Sequence, residues 1–299
     1  MLALLATNSV HSPKLEIMRG KTRTFCEFTA GAVILASLAL TPAAEAQIIN
    51  LHDNNSTASV NVGSQAGMFH WDVQGQNQLS QQWFWYRVGT SGPERSIDTL
   101  GAPVVSTPTP NHLDTTYFGT GFNIKISYDL AGGAVVGSGQ AAEADIAEII
   151  TINNTSGGTL DFHLFQYSDF DLGGPGNDTV SLSLNNQGKF NEADQADNGA
   201  SLLESITGVT PGANHGEAAL FPATLNKLNN AFADNLNDNV GPVGPGDVSW
   251  ALQWDLSIAN GGSKLISKDK HLTVVVPEPS SIALLGFGLA GLALRRRRS

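Results

Sequence analysis

Residues 167–178 read YSDFDLGGPGND and set three carboxylates, Asp169, Asp171 and Asp178, around a glycine-rich turn. Oxygen donors of this kind suit Ca2+, a hard cation that gathers several carboxylate and carbonyl ligands. The spacing is not that of an EF-hand, because Gly stands at position 173 where the next acidic ligand would fall. Two readings follow: a calcium-stabilised turn, or carboxylates that only solvate a β-turn. The stretch NEADQADNG (191–199), with Glu192, Asp194 and Asp197, has the same two readings.

An aromatic cluster follows a different logic. In QQWFWYRV (81–88), strand alternation places Trp83, Trp85 and Arg87 on one face and Phe84, Tyr86 and Val88 on the other. Exposed, Trp83 and Trp85 would stack on sugar rings and serve as a ligand platform; buried, they would be core. Histidines stand next to acids at His52-Asp53, His70-Trp71-Asp72, His112-Leu113-Asp114 and His215-Gly216-Glu217. None forms a His-Glu-x-x-His helix or a Gly-x-Ser-x-Gly elbow. Glu143, Asp145 and Glu148 offer carboxylates of the type a glycosidase pairs, but acids are too frequent here to single them out. No catalytic residue is assigned, and the expectation is a non-enzymatic protein.

The elements that must position these groups read as strands. Residues 123–130, 147–154, 159–172, 179–185, 248–259 and 270–276 alternate apolar and polar side chains. The runs NNTSGG, GGPGND, NNQG and ANGGS punctuate them, and NNTSGG reads as a hairpin connection. Only FPATLNKLNNAFADNLNDN (221–239) has helical spacing, through Leu225, Leu228, Phe232 and Leu236, before Pro242 and Pro245 stop it. The expected fold is mainly β: a single antiparallel β-sandwich, jelly-roll-like, with one short helix over residues 47–275.

Composition narrows the function. Of 27 acidic and 16 basic residues, 23 and 8 lie in residues 47–276, a net charge of −15 for that part. So acidic a surface argues against nucleic-acid binding, which needs a basic face. The one cysteine, Cys26, lies before the β-domain, so disulfides, thiol catalysis and Cys-ligated metals are excluded there.

Both ends carry targeting features. Before residue 47, Arg19, Lys21 and Arg23 precede an apolar run, Ala30 to Leu40, and an Ala44-Glu45-Ala46 box sets signal cleavage before Gln47. Residues 1–46 thus read as an extension plus signal peptide, with Met18 as the expected start. At the other end, residues 276–299 hold Pro277-Glu278-Pro279, a run without charge from Ile282 to Leu294, and Arg295, Arg296, Arg297 and Arg298. The run is short for a membrane span, but terminal arginines can snorkel, and they favour the cytoplasmic side. The expectation is a C-terminal transmembrane helix with the β-domain outside the cytoplasm.

This tail resembles the PEP-CTERM sorting signal, with all three parts in order over about 24 residues. The same kind of tail is also known as an ice-binding-protein C-terminal segment, a label that lends no activity to the other residues. The resemblance implies an exosortase-type membrane enzyme that recognises Pro-Glu-Pro, and a host that makes extracellular polysaccharide. The expected function is therefore that of an exported surface or matrix protein associated with exopolysaccharide. A carbohydrate-binding module, with calcium as a stabilising ion, is the alternative; a secreted hydrolase is the third reading.

Overall fold

The computed structural model describes residues 47–197 and 204–276. In chain order the strands are β1 (Ile48–Asp53), β2 (Ser56–Asn61), β3 (Gly67–Val73), β4 (Gln76–Asn77), β5 (Leu79–Val88) and β6 (Arg95–Ser96). Next come β7 (Val104–Ser106), β8 (His112–Gly119), β9 (Phe122–Gly132), β10 (Ala141–Asn154), β11 (Leu160–Phe170) and β12 (Asp178–Leu184). The last are β13 (Phe190–Asp197), β14 (Glu204–Ala213), β15 (His215–Leu220), β16 (Val243–Gly246), β17 (Val248–Ile258) and β18 (Ser263–Val275). Between β15 and β16 lies the helix α1 (Ala223–Leu228).

Two sheets form, and the sandwich expected from alternation is present. The first runs β1-β2-β3-β5-β11-β17-β15, with β4 beside β3 and β6 beside β5. The second runs β16-β12-β13-β14-β18-β10-β9-β8-β7. Pairing is antiparallel except where β3 meets β5 at Gln82. Side chains such as Ile126, Tyr128, Ile146, Ile150, Phe84 and Phe162 are removed from solvent and form the core.

The core also holds an ionic cluster. Glu148 on β10 faces Lys268 on β18 in register, with Nζ 2.9 Å from the carboxylate, and also pairs with Lys270. Gln82 of the first sheet donates to Glu148 Oε1 at 2.7 Å, which fixes the even-numbered side of β5 as the inward one. Burial alone would raise the Glu148 carboxyl, but the two lysines outweigh it and hold it down to about 2. Burial, helped by Lys270, brings the Lys268 ammonium down to about 7 despite Glu148.

Two expectations are corrected. NNTSGG does not close a hairpin: β10 pairs with β9 and β18, whereas β11 pairs with β5 and β17, so this turn carries the chain from one sheet to the other. Buried Asn154 anchors the crossing by donating to Gly158, Ile258 and Ala259 carbonyls. The helix is also shorter than 221–239. It ends at Leu228, and the residues up to Asn239 run on as an extended strap, with Leu236 buried and Phe232 71% exposed. Backbone groups along the strap are taken by side chains of the first sheet, which compete successfully with helical pairing.

Among the described residues no helix is long and apolar enough to cross a membrane. Ala44, Ala46, Pro277, Glu278, Pro279 and Arg295–Arg298 lie outside the described residues, while Gln47 is exposed.

Candidate functional site on the outer face of the first sheet

Since even-numbered β5 residues face inward, Trp85 and Arg87 face outward, and register aligns them with Phe165 and His163 of β11. On β17 the same register brings Gln253 and Asp255 beside Phe165 and His163, and on β15 it brings His215 beside Gln253. Four strands thus place their polar side chains on one outer face, and the strap 221–240 lies over part of it.

A run of hydrogen bonds links these groups. His163 Nδ1 lies 2.6 Å from Asp255 Oδ1, and His215 Nε2 lies 3.3 Å from the other oxygen. His215 Nδ1 is 3.0 Å from Asp238 of the strap. Gln253 donates to Asp255 at 2.8 Å and to Asn235 Oδ1 at 2.9 Å, and Arg87 donates to the same Asn235 oxygen at 3.1 Å. Arg87 also forms a buried ion pair with Glu94. Burial lifts the Glu94 carboxyl above its usual range, although backbone donors and Arg87 oppose this. Asp255 behaves in the opposite way: burial would raise it, but donation from His163 and Gln253 keeps it below the usual range. One carboxylate bridging two imidazoles is an arrangement that can hold and relay a proton.

Arg87 also borders a groove of about 400 Å³. Tyr86, Phe122 and Leu100 supply its apolar wall, and Arg95, Ser91 and Thr120 its polar one. Tyr86 stacks near-parallel on Phe162 and contacts Phe122, so the aromatic wall is fixed from behind. Arg95 is exposed at the groove's polar side.

The tryptophan platform is corrected. Trp83 and Trp85 are both fully buried, so neither ring can stack on a sugar. Trp83 donates to Ser96 at 2.8 Å and packs edge-on against Tyr117. Trp85 lies beneath the strap and donates to Asn229 at 3.1 Å. Alternation was read correctly, but the outer face is covered.

The acidic turn is rearranged as well. Asp169 and Asp171 come together with Asp247, which the sequence did not single out, and each of the three offers an oxygen within 4.8 Å of the others. Asp178 turns aside: its Oδ2 accepts from the Leu172 amide at 3.0 Å and from Gln195 at 2.7 Å. Among the adjacent His–acid pairs, His112 does contact Asp114 at 3.3 Å, but His215 turns from Glu217 to Asp238 and Asp255. Glu217 instead seats the strap, accepting from Thr224 at 2.9 Å and the Asn237 amide at 2.8 Å and pairing with Lys227. The carboxylates Glu143, Asp145 and Glu148 do not converge, since Glu148 points into the core and Asp145 meets His271.

Comparison with known proteins is informative at two levels. Residues 275–298 match the PEP-CTERM protein-sorting motif, which supports an exported chain sorted by an exosortase. No curated protein matches the sequence. Among solved structures, a galactose mutarotase-like protein from Lactobacillus casei superposes with a TM-score of 0.50 at 8% identity, covering 76% of this chain and 100% of that one. A galactose mutarotase related enzyme from Lactobacillus acidophilus gives 0.49 at 5% identity, over 78% of this chain and 99% of that one. A bacterial glucoamylase complexed with acarbose gives 0.49 at 8%, over 82% of this chain but 34% of that one. The expectation of a non-enzyme is corrected by this likeness. The two-sheet fold is shared with the galactose mutarotase-like protein at a TM-score of 0.50, and a fold alone gives no ground for classing the chain as non-catalytic.

Proposed function

We propose that the β-domain is the outward-facing part of an exported protein and recognises extracellular polysaccharide. The sorting tail supplies the route: the chain is held by its C-terminal segment with the domain outside the cytoplasm, then processed at Pro277-Glu278-Pro279 and passed to the surface or matrix. The observation that carries the binding reading is the groove bounded by Tyr86, Phe122, Arg87 and Arg95. The exposed Arg95 guanidinium suits a sugar's hydroxyl or carboxylate oxygens, while Tyr86, Phe122 and Arg87, themselves buried, shape the floor of the groove. The shared fold with a galactose mutarotase-like protein supports the same ligand class.

A second reading draws on the bridged imidazoles. His163, Asp255 and His215 could exchange a proton with a sugar hydroxyl, which is general acid–base chemistry. One experiment separates the readings. Titration of neutral and uronic-acid polysaccharides by calorimetry, with parallel assays of anomer exchange and hydrolysis, is run on the wild type, Arg95→Ala and His215→Ala. Arg95→Ala is expected to weaken acidic-glycan binding at least about tenfold. Binding unchanged by Arg95→Ala sinks the groove reading, and turnover lost in His215→Ala establishes the catalytic one.

A further inference from the structure

Asp169, at the end of β11, is 4% exposed. Its Oδ2 accepts weakly from Tyr167 at 3.3 Å, and its Oδ1 is buried without a hydrogen-bond donor. An ionised carboxylate oxygen left in this state is costly unless a positive partner satisfies it. Among the described residues no lysine or arginine pairs with it. Acidic groups lie beside it: Asp171 from the following turn and Asp247 from just before β17.

The geometry points to a calcium ion held by Asp169, Asp171 and Asp247. Calcium sits about 2.3–2.6 Å from each oxygen, so oxygens sharing one ion lie within about 5 Å of each other. The three here meet that limit at 4.8 Å. Magnesium, with oxygens at about 2.0–2.1 Å, would need a tighter set. Neutral oxygens are near as well. Continuing the β11–β17 register sets the fully buried Ser249 opposite Asp169. The glycine-rich turn is already shaped, with Gly173 donating to Gln78 and Gly174 to the Asp171 carbonyl. Asp178, also buried with an unpaired Oδ1, adds negative field behind the trio.

The site differs from the sugar groove and from the histidine pair, and its test is independent of both. Full-length protein in detergent is stripped with EDTA and melted in calcium up to about 10 mM, a range that covers extracellular sites. At calcium a hundredfold above its Kd the melting midpoint is expected to rise by roughly 5–10 °C. Asp171→Asn and Asp247→Asn, each only half-buried, should abolish the rise, while the exposed control Glu143→Gln should keep it. Terbium emission, sensitised by the nearby Tyr167, should appear in the wild type and be lost in both variants. No rise in the wild type overturns the proposal, as does a rise that survives in both aspartate variants. If one variant fails to fold, the other decides.

Discussion

Glu148 shows what one residue does in this fold. It is the anion for two buried lysines, so removing its charge leaves both unmatched between the sheets. Glu148→Gln is expected to cost about 3–5 kcal/mol in urea unfolding, whereas replacing Glu148, Lys268 and Lys270 together by methionine recovers most of it. A Glu148→Gln cost below about 1 kcal/mol would show that the cluster is not ion-paired in solution. The pH dependence follows the same pairing. Glu148 and Lys268 both release their protons more easily folded than unfolded. Stability therefore climbs from about pH 2 to 4.5 on account of Glu148, and again from about pH 7 to 10.5 on account of Lys268. Little of this was legible beforehand. In the sequence Glu148 was one acid among many, and only strand register reveals that it faces Lys268.

At the scale of elements, the strap from Phe221 to Val240 decides what the first sheet can offer. It hides Trp85, contributes Asp238 and Asn235 to the polar run, and is seated on Glu217. Glu217→Ala leaves the Thr224 hydroxyl and the Asn237 amide without an acceptor, which should cost about 2–4 kcal/mol. Amide exchange is then expected to quicken over residues 223–239 while β10 and β18 keep their protection; uniform quickening would mean the strap has no independent stability. The strands were most readable where period-2 alternation survives, as in β9, β10, β12 and β18, whereas β5, β11 and β17 are buried on both faces. The strap was over-read as helix because Leu225, Leu228, Phe232 and Leu236 keep helical spacing, although Phe232 ends in solvent. The NNTSGG turn was misjudged for a chemical reason: Asn and Gly satisfy a sheet-to-sheet crossing as readily as a hairpin. His163 and Asp255 lie 92 residues apart, and Asp247 is a single acid between Gly246 and Val248, so neither left a local signal.

For the whole molecule, the sorting tail and the acidic β-domain belong to one itinerary. Changing Glu278 to Ala in the native host should leave the protein in the membrane fraction with its tail intact by mass, where the wild type ends near Pro277. Identical masses and fractions for both would make the tail a permanent anchor. The tail was the most legible part of the chain because its three parts are contiguous. The polar outer face of the first sheet was the least legible, because it is assembled from β5, β11, β15 and β17 together.

The sheet order carries one more consequence. β17 lies between β11 and β15, and β18 lies between β14 and β10, so the last two strands take central places. A chain exported N-terminus first would be unable to complete either sheet until these strands had emerged. β18 ends at Val275, two residues before Pro277. Vectorial folding and arrival of the sorting signal are therefore nearly one event. On that route the protein would reach its native state only as its own address became readable, and truncation anywhere before β17 would remove both at once.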